Sequence, residues 1–133
     1  MSGTKKIISV LAMCFTVTTA FSQSKTFPSP PSANALVNPV RGNSGATAEG
    51  KKIYELYCVT CHGKKGKGDG IAAPGLSKRP ADHTSDFVQK QTDGALYWII
   101  TEGNNPMPTY KTTLTEAQRW EVVNYIRTLA KHK

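Results

Sequence analysis

Cys58-Val59-Thr60-Cys61-His62 is the stretch on which the reading of this chain turns. Thiols three positions apart lie about one helical turn from each other, which lets them add to two vinyl groups along one edge of a haem. A histidine directly after them then lies beneath the iron and can bind it. Two other chemistries use a close cysteine pair: a thioredoxin-like dithiol and half of a structural zinc site. The dithiol wants a βαβ setting, which the sequence lacks, and the zinc site wants four ligands, preferably with a second close Cys or His pair. Beyond the motif the chain offers only His83, His132 and Cys14. The spacing therefore points to covalent attachment of a haem through Cys58 and Cys61, with His62 as an iron ligand.

The N-terminus is consistent with that chemistry. Lys5-Lys6, the apolar run Ile7 to Phe21 and the small-residue pattern Ala20-Phe21-Ser22 have the charge, core and cleavage site of a secretory signal over residues 1–22. The mature protein is then exported, to the periplasm. Ser9, Thr16, Thr18 and Thr19 make the run short and polar for a spanning helix, which wants about 20 predominantly apolar residues. Two alternatives would tether the chain to a membrane: an uncleaved anchor, or a lipidated Cys14 with Leu11 three residues before it. Met13 is large where a lipoprotein signal wants a small residue. Export would ordinarily turn a close cysteine pair into a disulfide, and the adjacent His62 favours thioethers instead.

There are 17 Lys and Arg against 9 Asp and Glu, a formal charge of +8, and loss of Lys5 and Lys6 with the signal leaves +6. Residues 23–44 are rich in Pro, Ser, Asn and Ala, with Pro28, Pro30, Pro31 and Pro39 and no helical period, so they read as a flexible leader or tether. Residues 45–133 make one small domain. So short a chain buries a limited core, and a large apolar cofactor at its centre supplies what side chains cannot.

Three segments of that domain carry helical period. Thr47 can cap a first helix with Gly50, Ile53, Tyr54 and Tyr57 on one face, running directly into the motif. A second opens near Asp93, carries Leu96, Ile99 and Ile100, and stops at Gly103-Asn104-Asn105-Pro106; Phe87 and Val88 before it suit a short helical turn. The last starts at Thr115, with Gln118 completing a capping box, and presents Val122, Tyr125, Ile126 and Leu129, widened by Trp120, Val123 and Ala130. Nothing alternates like a strand, and Gly63 to Gly75 is a glycine- and lysine-rich loop. The fold class is all-α, with long loops wrapped around one haem.

An iron held by His62 needs a sixth partner or an open site. Met107 is the best placed candidate, an apolar sulfur between Pro106 and Pro108, which restrict its loop. His83, beside Asp82, reads as a surface histidine and is the alternative ligand; His132 lies in the last turn.

The order of first helix, Cys-x-x-Cys-His, glycine-rich loop, Met-Pro loop and aromatic last helix resembles the class I monohaem cytochrome c family over nearly all of Gly45 to Lys133. The resemblance implies that the first and last helices cross where Gly50 meets Tyr125, with Tyr54 beside them. It also implies that Ala73-Pro74-Gly75-Leu76 is the element whose proline carbonyl accepts the second ring proton of His62 and whose leucine lies against the haem. Met107 is then the sixth ligand, and Arg79, on a loop stiffened by Pro80, is a candidate partner for a haem propionate.

These readings make the protein a single-electron carrier without catalytic residues and without a small-molecule substrate at the iron, its potential raised by Met/His ligation. A haem enzyme or sensor with a displaceable sixth ligand would want a polar distal pocket, and a Pro-Met-Pro loop points the other way. An electron-entry subunit of a larger respiratory complex, such as a membrane-bound oxidase or reductase, is the other alternative. Lys64, Lys65 and Lys67 after the motif suit docking to redox proteins with acidic patches. Nucleic acid is disfavoured by export and by the absence of an interleaved aromatic pattern.

Overall fold

The computed structural model describes residues 27–130, so the expected signal at 1–22, Cys14 and His132 lie outside the described residues. Among the described residues there are five α-helices, two short 3-10 turns and no strand. The first helix, α1 (Ser44–Tyr57), begins a turn earlier than Thr47. Asn43 is the cap: its side-chain oxygen accepts from Ala46 N at 2.9 Å, while the Thr47 hydroxyl donates back to the Asn43 carbonyl. A single turn, α2 (Val59–His62), carries the cysteine motif directly after it.

The last helix, α5 (Glu116–Thr128), starts as expected on Thr115, with both bonds of the capping box to Gln118 present. It makes its largest helix contact with α1. Gly50 explains the closeness, because a Cβ there would run into the Glu121 carbonyl, and the carbonyl belongs to backbone that cannot rotate away. The glycine thus faces the backbone of Glu121 and Val122, and Tyr125 packs edge-on against Tyr54 instead, with ring centroids 5.0 Å apart. Tyr54, Val88, Leu96, Ile100, Trp120, Val122, Val123 and Ile126 form the buried cluster. Trp120 also stacks on Tyr97 at 3.9 Å. Between the outer helices lie α3 (Asp86–Gln89), which buries Val88, and α4 (Asp93–Glu102), capped by Thr92 and stopped at Gly103.

The stretch expected to be a flexible tether over 23–44 is packed against the domain from Phe27 onward. A 3-10 turn, Pro31–Ala35, lies against α4 and buries Ala33. Asn38 is buried and donates to Asp93 at 3.0 Å and to Asn124 at 2.9 Å, and Asn124 returns a bond to the Val40 carbonyl. Phe27 packs against Phe87 with centroids 5.9 Å apart. Asn34, which accepts from the Thr92 hydroxyl, and Asn38 satisfy their polar groups across the fold, so the packed unit starts before Gly45. No helix of the described residues is long and apolar enough to cross a membrane.

Candidate haem site

The motif is held by the loop that follows it. Gly68 N, Gly70 N and Ala72 N donate to the carbonyls of His62, Cys61 and Thr60 at 2.9, 3.0 and 2.9 Å, capping the carbonyl end of α2. Gly70 permits this approach, since a Cβ there would collide with the Thr60 carbonyl. The glycine-rich composition of Gly63 to Gly75 thus lets loop backbone lie on motif backbone.

Cys58 and Cys61 are free thiols, both half-buried. Burial first, and the neighbouring Cys61 second, push the Cys58 thiol up to about 12. His62 is buried, with 8% of its surface exposed. Its Nδ1 lies 3.0 Å from the carbonyl oxygen of Ala81. A carbonyl only accepts, so Nδ1 carries the proton and Nε2 keeps its lone pair. Burial lowers the basicity of the ring against the opposing effect of the Ala81 bond, which favours the neutral form. Among the described residues no three His, Cys, Asp or Glu side chains converge as they would around a metal ion. Two unpaired thiols on one helical turn beside an imidazole with a free Nε2 fit a covalently attached haem.

The acceptor for His62 is a correction. The carbonyl expected from Pro74 comes from Ala81. Pro74 lies exposed in the 3-10 turn Ala73–Gly75, whose approach is tied to Thr60 through Ala72. The segment at Pro80 and Ala81 instead runs beside Gly68 and is anchored where His83 N donates to the Gly66 carbonyl. Leu76 is half-buried at the end of the Ala73–Gly75 turn, and Arg79 is exposed two residues before Ala81.

Met107 sits in a turn closed by reciprocal backbone bonds with Asn104, both 3.0 Å, and packs against the buried cluster, as do Cys58 and Val59. Three bonds hold its loop: Tyr110 N to the Ile100 carbonyl, Thr109 Oγ1 to the Thr101 carbonyl and Tyr110 Oη to the Tyr57 carbonyl. The Tyr110 ring also meets that of Tyr57 edge-on, with centroids 5.9 Å apart, which places this loop beside the residue that precedes the motif.

His83 is a second correction. It is buried, not on the surface, and its ring stacks on that of His62 at 4.1 Å, 18° from parallel. Stacked beside His62, the His83 ring would not be placed to hold an iron from the side opposite His62, and Met107 stays the candidate for that role. Sequence reasoning missed Ala81, which acts through its backbone, and Tyr54 Oη, which bonds to His83; only Pro80 marked the segment as constrained. Lys64, Lys65 and Lys67 are exposed, with Ile71, 90% exposed, beside the first two in a shallow groove.

Comparison with known proteins finds similarity to cytochromes c. The family model described as cytochrome c oxidase, cbb3-type, subunit III, matches residues 45–126. A cytochrome c6 from Synechococcus is 30% identical over 79 residues, which are 59% of this chain and 66% of that protein. Among solved structures, the Kuenenia stuttgartiensis reducing HAO-like protein complex Kustc0457/Kustc0458 contains a chain that aligns with a TM-score of 0.64 and 31% identity. That alignment covers 74% of this chain and 49% of the other, so this chain spans about half the length of that relative. The KustC0563 c-type cytochrome aligns with a TM-score of 0.54 and 30% identity, over 62% of this chain and 98% of its own.

Proposed function

The chain belongs to the c-type cytochrome family described as cytochrome c oxidase, cbb3-type, subunit III, and from that premise we propose that it is an exported single-electron carrier. Its haem c is covalently bound, and the attachment points we assign are Cys58 and Cys61, with His62 and Met107 as axial ligands. The observation that carries this reading is the bond from His62 Nδ1 to Ala81, which leaves Nε2 free on the turn that presents both thiols. When bound, the haem iron supplies a one-electron ferrous/ferric couple, whose potential Met/His ligation raises. Ala81 holds the His62 proton and orients the ring, the Asn104–Met107 turn presents the thioether, and Arg79 is the candidate partner for a propionate. Docking to an acidic redox partner falls to Lys64, Lys65 and Lys67.

Denaturing electrophoresis with haem staining, on protein matured in an exporting host, tests the assignment. The wild-type band should stain and the Cys58→Ala, Cys61→Ala double variant should not. Stain retained by the double variant would overturn it.

A second reading, an electron-entry subunit of a larger respiratory complex, is favoured by the oxidase-subunit description of the family and by a relative that belongs to a complex. Sedimentation of the native protein from its source separates the two: a carrier runs at about its own mass of 14.4 kDa or less, and a subunit runs with its assembly.

A further inference from the structure

The environment of His83 is built with more care than a space-filling ring needs. Its backbone N–H donates to the Gly66 carbonyl at 2.6 Å. Its own carbonyl accepts from Gln89 Nε2 at 2.6 Å, and the same amide reaches the Ile126 carbonyl of α5 at 3.0 Å. At the ring, Tyr54 Oη lies 3.3 Å from the Gly63 carbonyl and 3.1 Å from His83 Nδ1. The carbonyl can only accept, so the phenol proton belongs to it, and the proton between the two rings is carried by His83 Nδ1. Tyr54 itself is wedged in the α1–α5 crossing against Tyr125, so His83 is tied to the most closely packed part of the fold.

We propose that His83, pinned by Tyr54, is a positioning residue that sets the plane of the His62 ring. This inference rests on the proposed ligation of iron by His62. The ring of His62 is joined to the chain at one point and bonded to Ala81 at another, and those two points define a hinge axis about which the ring can still swing. A flat ring 4.1 Å away and nearly parallel closes that last freedom. The plane of an axial imidazole decides which iron orbital it mixes with, so it governs both the unpaired-spin pattern over the macrocycle and the potential.

The test uses the ferric holoprotein, reading the proton NMR hyperfine shifts of the haem methyls and the midpoint potential. His83→Phe keeps a flat face and should retain the wild-type order of methyl shifts. His83→Leu fills much of the space without a flat face; it should reorder the methyl shifts and move the potential. Tyr54→Phe keeps the crossing packed but removes the tie to His83, and should displace the shifts in the same sense by less. A Leu variant with the wild-type pattern and potential, or Phe and Leu variants that move together, would overturn the proposal. Where the Leu variant does not mature, an unmoved pattern in Tyr54→Phe overturns it equally. Wild-type protein without haem methyl signals would instead sink the ligation reading, a result distinct from any of these.

Discussion

Asn38 donates its side-chain amide to the carboxylate of Asp93 at 3.0 Å, across 55 positions of sequence. Arg41 and Arg127 donate to the same carboxylate at 3.1 and 2.8 Å. Asp93 is therefore a buried charge with its partners in place, joining the N-terminal segment, the start of α4 and the last helix.

Asn38→Ala should destabilise the protein by about 1–3 kcal/mol, because it strips donors from Asp93 and Asn124 and an acceptor from Val40 N at a buried site. Urea melts of the holoprotein measure this. A loss within about 0.5 kcal/mol, the range of ordinary surface changes, would return residues 27–43 to the role of a loose tether.

Acid should expose the same network. Burial alone would push the Asp93 carboxyl up, but bonds from Arg41, Asn38 and Arg127 and the charge of Arg127 hold it below its ordinary value of 3.8. The native state then keeps Asp93 ionised where the unfolded chain has already taken up a proton. Its contribution is complete above the unfolded value and is lost as pH falls through the folded one. The stability gap between wild type and Asp93→Asn should hold steady from neutral pH down to about pH 5 and narrow below about pH 4. A gap that widens on acidification would contradict the sign.

Gly50→Ala places its methyl against the Glu121 carbonyl, so α1 and α5 must move apart. The expected cost is about 1–3 kcal/mol, typical of overpacking. Unchanged denaturant midpoints would show that the crossing has slack the structure does not suggest.

Met107→Ala should open the proposed sixth position. The variant is expected to bind carbon monoxide in the ferrous state, where wild type does not, and to show a lower potential. Spectra indifferent to carbon monoxide in both proteins would remove Met107 from the ligand set.

Replacing Lys64, Lys65 and Lys67 with glutamine should slow electron transfer to an acidic redox partner at low ionic strength and flatten the salt dependence, leaving the haem spectrum alone. All three are exposed. A triple variant with the wild-type rate and salt slope would place docking elsewhere.

The sequence by itself determined whatever is encoded within one or two helical turns. Cys58, Cys61 and His62 declare their chemistry by spacing, Thr115 and Gln118 cap α5 by a four-residue rule, and Gly50 and the Val122–Ile126 face mark the crossing through side-chain size and period. Its errors share one cause. The acceptor for His62 is a backbone carbonyl, and every residue carries one, so nothing in the composition of Ala81 set it above Pro74. His83 reads as a surface residue beside Asp82 until Gly66 and Gln89 draw it inward, and Asn38 reads as loop until Asp93 and Asn124 face it. Only the tertiary structure decided these positions, because a polar group is buried where distant parts of the chain supply its hydrogen-bond partners, and that meeting exists only in the folded chain.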